Sequence, residues 1–317
     1  MIVPATSAIA LALRLATFMM ILQWFSAAAA NGQEPTCTPL SEHGRDRVTT
    51  YVRALFNFPH ITSVTLEHTG AALPGCYRPL VYILTMASGS YAPFVAFVSP
   101  DENSIVREVL DITRDPQQTE EHAAVQSRRL ALTEGSTGNE VGINAVVVFS
   151  DFTCPYCKSA GAAIKTLRHS EEQDKQVIRI RHFPQPQHPW ASQAAELSAC
   201  ISQIGGGSFW KFYDAMFDSQ QELKASSAEV ATQRMWDIVD AIMADSLPTV
   251  RQCVTSGEGR RSVKKDMILG ALYGVKGTPT TFFNGIQLKG AATSEQFADI
   301  ILKEANRIDK NELSTNH

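Results

Sequence analysis

The sequence is short of net charge, of metal-ligand spacing and of long apolar runs. Its 28 lysines and arginines nearly balance 32 aspartates and glutamates, for a formal net charge of -4. Such a surface does not attract a polyanion, so no nucleic acid partner is expected. No Cys-x-x-Cys exists beyond the one at Cys154 and Cys157, and His169 and His182 do not form a His-x3-5-His pair. A structural zinc needs four such ligands, so no metal is expected, and no other cofactor is required because a Cys-x-x-Cys dithiol is itself a redox group. Internal repeats and low-complexity tracts are also missing. The apolar run from Leu15 to Phe25 falls short of the roughly 20 residues that cross a bilayer.

Small residues, Ser26 to Ala30, follow that run. An apolar core followed by an Ala-x-Ala site is the pattern of a secretory leader, here residues 1–30 with cutting near Ala30-Asn31. The leader lacks an early Lys or Arg, its one positive side chain being Arg14, so an uncleaved anchor is the competing reading. Export to the periplasm or cell envelope gives meaning to six cysteines: Cys37, Cys76, Cys154, Cys157, Cys200 and Cys253. An even count outside the cytoplasm favours disulfides over free thiols. A chain of this length does not depend on them for its core.

Residues 31–113 read as a small α+β domain. Thr38-Pro39 suggests a helix start, and Val48, Val52, Leu55 and Phe56 recur at helical spacing. Strand-like segments follow at Ser63 to His68, Pro79 to Met86, Phe94 to Ser99 and Ser104 to Ile112, parted by turn residues. Residues 114–142 are polar and lack aromatics, and read as a linker. Residues 143–308 begin with an apolar strand, Ala145 to Phe149. A helix from Cys154 to about His169 follows, then a strand from Val177 to Phe183. Helical patterns dominate Ala191 to Tyr273. Two strands then meet at Asn284-Gly285, and a last helix spans Ser294 to Arg307. Residues 309–317 form a polar tail.

The chemistry concentrates in Cys154-Pro155-Tyr156-Cys157, at a strand-to-helix junction. Disulfide exchange needs a thiolate, and an ordinary cysteine with pKa about 8.5 is mostly protonated at neutral pH. At a helix N-terminus the unpaired N–H groups and the helix dipole favour negative charge on Cys154. Pro155 is tolerated in the first turn, where its missing N–H costs nothing. Cys157 lies one turn later on the same face, placed to close a small ring with Cys154. Cys154 is therefore the attacking thiol, and Cys157 resolves the mixed disulfide. Cys200 and Cys253 bracket the helical block and read as a structural bridge, contributing about 4 kcal/mol by chain entropy. Cys37 and Cys76 are candidates for a second bridge. Asp151 and Lys158 flank the motif, with Lys158 read as a surface charge. Neither Glu140 nor Asp151 matches a proton-transfer role. His188 and Trp190 either rim the active face or pack the following helix, and packing is preferred. Arg260, Arg261, Lys264 and Lys265 read as the wet face of a helix.

Downstream, Gly277-Thr278-Pro279-Thr280 leads into the apolar run Thr281-Phe282-Phe283. With the Cys-Pro-Tyr-Cys unit, the helical insertion and this Thr-Pro loop in order, the region from Ala145 to Arg307 resembles the Dsb-type branch of the thioredoxin superfamily, as in DsbA, DsbC and DsbG. Phe183-Pro184, His188-Pro189 and Ala194-Ala195 are similar to that branch's approach to its insertion. The resemblance implies an α/β thioredoxin fold with a helical insertion, preceded by a small α+β domain. It implies that Pro155 and Tyr156 tune thiolate stability, and that Pro279 is cis. Thr278 then faces the dithiol and offers backbone hydrogen bonds to a substrate peptide. The preceding domain looks like the dimerising module of the DsbC and DsbG isomerases.

The reading that follows is an exported protein thiol-disulfide oxidoreductase or isomerase. Its partners would be unfolded or partly folded exported proteins and a membrane or soluble redox partner, with a homodimer if the first domain dimerises. The alternatives are a monomeric disulfide oxidase, a peptide-binding chaperone with an incidental dithiol, and a metal-delivery module. The last requires a histidine near the dithiol, which the linear sequence does not reveal.

Overall fold

The computed structural model describes residues 37–109, 144–170, 174, 176–205, 207–283 and 286–288, with isolated positions beyond. The leader, the linker, the turn at Asn284-Gly285, the last helix and the tail lie outside the described residues. The chain divides into two compact units, Met1–Leu40 and Ser41–His317.

The second unit begins with α1, Glu42–Leu55. Its N-cap is Ser41, not Thr38. The Ser41 Oγ accepts from the Gly44 N–H at 2.8 Å, while Glu102 Oε1 accepts from the Ser41 N–H at 2.8 Å. A carboxylate 61 residues away thus holds the cap, which local sequence cannot reveal. Helical spacing brings Val48 and Val52 to one face, and both are buried. Burying each stabilises by roughly 1.5 kcal/mol. The helix lies over an antiparallel sheet in the order β1-β2-β3-β4: Ile61–Thr69, Arg78–Met86, Tyr91–Val98 and Ile105–Val106. The sequence predicts the last of these out to Ile112, but the strand ends at Val106. From Leu80 to Leu84 every residue of β2 is buried, which requires cover on both faces. On one face the Tyr82 hydroxyl meets Thr49 Oγ1 of α1 at 3.1 Å. On the other, Ile83 and Tyr91 share a core with residues of a later helix.

The second sheet has the order β6-β5-β7-β8: β5 is Asn144–Ser150, β6 Gln176–His182, β7 Thr280–Phe283 and β8 Ile286–Leu288. β5 is central, parallel to β6 and antiparallel to β7. Its apolar run is explained by strand alternation. Val146 and Val148 enter one core, Val147 and Phe149 the other. The first core is closed by α2, Pro155–Arg168, and by an insertion of five helices. These are α3 Ala191–Ile204, α4 Ser208–Asp218, α5 Gln220–Ala225, α6 Ala228–Met243 and α7 Leu247–Thr255. The second core is closed by α8, Glu258–Leu272, which contributes Val263 and Met267.

α8 also carries the small module. Ile83 and Tyr91 pack with Val263 and Met267, and the Tyr91 hydroxyl donates to Glu196 Oε1 of α3 at 3.1 Å. Arg260 Nε donates to the same oxygen at 3.1 Å, and Lys264 Nζ donates to Glu67 of β1 at 3.1 Å. Three of the four basic residues read as a wet helix face are therefore paired: Arg260 with α3, Lys264 with β1, and Arg261 with Glu258 of its own helix at 4.0 Å. A buried ion pair, Arg181 Nη1 to Asp266 Oδ1 at 2.9 Å, joins α8 to β6.

Candidate active site

β5 ends at Ser150, and the chain turns through Asp151-Phe152-Thr153 before α2. Phe152 anchors this turn, with ring centroids 5.3 Å from Phe217, 5.6 Å from Tyr213 and 5.9 Å from Phe212. Gln220, the first residue of α5, adds a second anchor. Its Nε2 donates to the carbonyls of Phe152 at 2.7 Å and Cys154 at 2.9 Å. No local signal marks Gln220, because the contact spans more than 60 residues.

Cys154 is the N-cap of α2 and Pro155 occupies the first turn. Both Cys154 and Cys157 are free thiols and both are buried. Tyr156, between them, is 60% exposed and faces solvent. The Cys154 Sγ donates to the Thr278 carbonyl at 3.3 Å, across 124 residues of sequence. The Thr278-Pro279 peptide is cis. The two motifs meet in space, and a groove of about 680 Å³ beside them is lined by Tyr156, Tyr273, Lys276, Thr278 and Pro279.

The two thiols differ in acidity. The Cys157 thiol donates to the Cys154 sulfur and lowers its pKa to about 6. N–H groups of Cys157 and Tyr156 and the Thr278 side-chain hydroxyl act in the same direction, against burial. Cys157 is pushed well above the ordinary thiol range, first by burial and then by its neighbour's negative charge. The two buried thiols are thus driven apart, Cys154 toward the thiolate and Cys157 toward the protonated form.

Asp151 is not a surface charge. Its side chain has no exposed area. Its carboxylate accepts from the N–H of Thr153 at 2.7 Å, the N–H of Gln185 at 2.8 Å and His188 Nδ1 at 2.6 Å. The preferred packing role for His188 is corrected by that contact, while Trp190 is 1% exposed and belongs to the core. Asp151 and His188 lie 37 residues apart in sequence, which hid the pair.

Cys200 and Cys253 form a disulfide between α3 and α7. Cys37 and Cys76 are both disulfide-bonded. Among the described residues, no group of three or more His, Cys, Asp or Glu is placed to hold a metal ion.

A helix-capping thiol pair facing a Thr-Pro loop, on a sheet of order β6-β5-β7-β8, defines a thioredoxin-fold redox site. The family model described as Thioredoxin matches residues 131–303, more than half the chain, and the chain belongs to that family. Over 162 residues it is 25% identical to a probable disulfide bond formation protein D of Bacillus cereus, covering 48% of this chain and 71% of that protein. It is 28% identical over 158 residues to Na(+)/H(+) antiporter NhaA 3 of Salinispora tropica, covering 50% of this chain and 22% of the antiporter. The chain thus spans less than a quarter of that antiporter's length. Among solved structures, alpha-DsbA2 of Wolbachia pipientis is similar at 18% identity and a TM-score of 0.48, covering 59% of this chain and 96% of that one. BdbD of Bacillus subtilis is similar at 20% identity and a TM-score of 0.46, covering 54% of this chain and 91% of that one.

Proposed function

We propose that this protein is an exported thiol-disulfide oxidoreductase that exchanges disulfides with folding proteins through Cys154 and Cys157. The observation that carries the reading is the asymmetric thiol pair at the start of α2, with Cys154 acidic and in contact with Thr278 and Cys157 buried behind it. Membership of the thioredoxin family supports it. So does the similarity to the probable disulfide bond formation protein D of Bacillus cereus.

In the oxidised enzyme a substrate thiolate attacks Cys154 Sγ, the Cys154–Cys157 bond breaks, and Cys157 leaves and takes up a proton. A second substrate thiolate attacks the mixed disulfide and Cys154 leaves as a thiolate. Two electrons pass to the enzyme and the substrate gains one disulfide. Because the Cys154 thiolate is stabilised, the reduced enzyme is favoured, which makes the disulfide oxidising. In the isomerase direction the Cys154 thiolate attacks a substrate disulfide instead. In this reading the Thr278 backbone pairs with an extended substrate segment, reading backbone rather than sequence, and the groove beside Tyr156 supports it.

Export is part of the proposal. The apolar leader supports it, and the Cys200–Cys253 bridge suits an oxidising compartment. No helix among the described residues is long and apolar enough to cross a membrane.

The test is a trap. Cys157→Ala should accumulate mixed disulfides through Cys154 when mixed with a reduced, unfolded secretory protein, visible on non-reducing gels. An absence of adducts, with refolding unaffected by Cys154→Ser, would remove the oxidoreductase reading and leave a chaperone. Light scattering separates directions, because a strict monomer argues against a dimeric isomerase.

A further inference from the structure

Asp151 and His188 form a pair that the exchange steps above do not use. Asp151 touches both cysteines through its backbone. Its carbonyl accepts from the Cys154 N–H at 3.1 Å, and its N–H donates to the Cys157 Sγ at 3.4 Å. Its carboxylate is buried in the same turn and held by two backbone N–H groups and by His188. A buried carboxylate in the turn that carries Cys154 opposes a second negative charge on that sulfur. His188 supplies the opposite charge. With 24% of its side chain exposed, it can exchange protons with solvent.

We propose that His188, held as an imidazolium by Asp151, is a positioning residue that cancels the Asp151 charge and thereby sets the thiolate population of Cys154. The consequence for turnover rests on the disulfide-exchange reading; the thiolate population itself does not. The groups facing His188 are Asp151 on the turn before α2, Cys154 at the start of α2 and Lys224 on α5. The Asp151 hydrogen bond raises the His188 pKa first, burial opposes it, the Asp151 and Cys154 charges add to the rise, and Lys224 lowers it. His188 is therefore charged below its raised pKa, and the Cys154 thiolate is favoured there. As pH rises through that value the imidazole turns neutral, Asp151 is left uncompensated, and the thiolate loses support. Coupling of this kind is reciprocal, so a charge on Cys154 must also raise the pKa of His188.

The experiment measures iodoacetamide alkylation of Cys154 in the full chain from pH 4 to 9, by mass spectrometry. The wild type is compared with His188→Gln, which can still hydrogen-bond Asp151 but carries no charge, and His188→Lys, which keeps the charge. The His188→Gln midpoint should move up by half a pH unit or more, about a three-fold loss of rate at pH 5. His188→Lys should move it back. A His188→Gln midpoint equal to that of the wild type overturns the proposal. Should His188→Gln fail to fold, the wild type suffices. The NMR titration of the His188 imidazole should shift to lower pH once Cys154 is alkylated with a neutral group, and an unchanged titration overturns the proposal equally. Both readouts stand whether or not the protein turns over disulfides. Their failure is therefore distinct from failure of the trap.

Discussion

The two cysteine pairs of the thioredoxin-fold region are equally hidden and chemically opposite. Cys154 and Cys157 are 5% and 0% exposed, and Cys200 and Cys253 are 1% and 8% exposed. Burial does not separate them; position on their helices does. Cys154 caps α2, where N–H groups converge on its sulfur and Thr278 closes the other side. Cys200 lies inside α3, where the backbone N–H groups are already used by the helix. Its sulfur packs so near α8 that a Cβ placed on Gly259 would come within 2.8 Å of it. The first pair is separated by one helical turn and is the pair proposed to exchange disulfides. The second is 53 residues apart and closes the insertion. The same side chain becomes a reagent or a strut according to which unpaired backbone groups surround it.

That contrast can be broken at either pair. Cys154→Ser should reduce exchange activity by roughly 10³-fold or more while costing less than about 1 kcal/mol of stability. Insulin reduction and urea denaturation read the two effects. The double change Cys200→Ala, Cys253→Ala should do the reverse. It should lose about 4 kcal/mol of stability by the chain-entropy relation, seen as a lower denaturant midpoint, and keep the exchange rate per folded molecule. Gly259→Ala should cost about 2 kcal/mol, because the new Cβ would lie 2.5 Å from the Glu196 carbonyl and 2.8 Å from the Cys200 sulfur. Its activity should stay near normal in the folded fraction.

The smallest effect separates the two thiols within the active pair. Cys154 has its pKa lowered to about 6. Its thiolate, and its alkylation, should therefore be fully present above that value and lost as pH falls through it. At pH 7 that gives a thiolate population about 30-fold above an ordinary cysteine's. Cys157, raised by burial, should stay unmodified over the same range. Equal labelling of both would erase the asymmetry on which the function rests.

Much of this site was legible because its signals are local. Cys154-Pro155-Tyr156-Cys157 carries its own helix start, and the apolar stretch before it reads directly as a buried strand. Thr278-Pro279 was legible only through family resemblance, since a Thr-Pro pair alone is an ordinary turn. What escaped was long-range. Gln220 reaches back to the turn from α5, and His188 finds Asp151 across 37 residues. Asp151 was visible but looked like a flanking charge, because nothing in its neighbourhood announces that it is buried. The start of α1 was misplaced for the same reason, its cap being completed by Glu102. Tertiary partners, rather than propensity, decide such positions.

The small module shows where linear reading stops. Its helix and strands follow their apolar periodicity, but nothing in that pattern says what covers the second face of β2. The cover is α8, with Tyr91, Glu196 and Arg260 sharing hydrogen bonds at its margin. The module therefore packs on the thioredoxin-fold region within the single chain, which already buries that face.

The most direct test of the account is the equilibrium reduction potential of the Cys154–Cys157 pair against glutathione. A stabilised Cys154 thiolate predicts a value of about -120 to -180 mV, that of a disulfide poised to oxidise or isomerise. A value below about -300 mV would mark a structural bond and contradict the account.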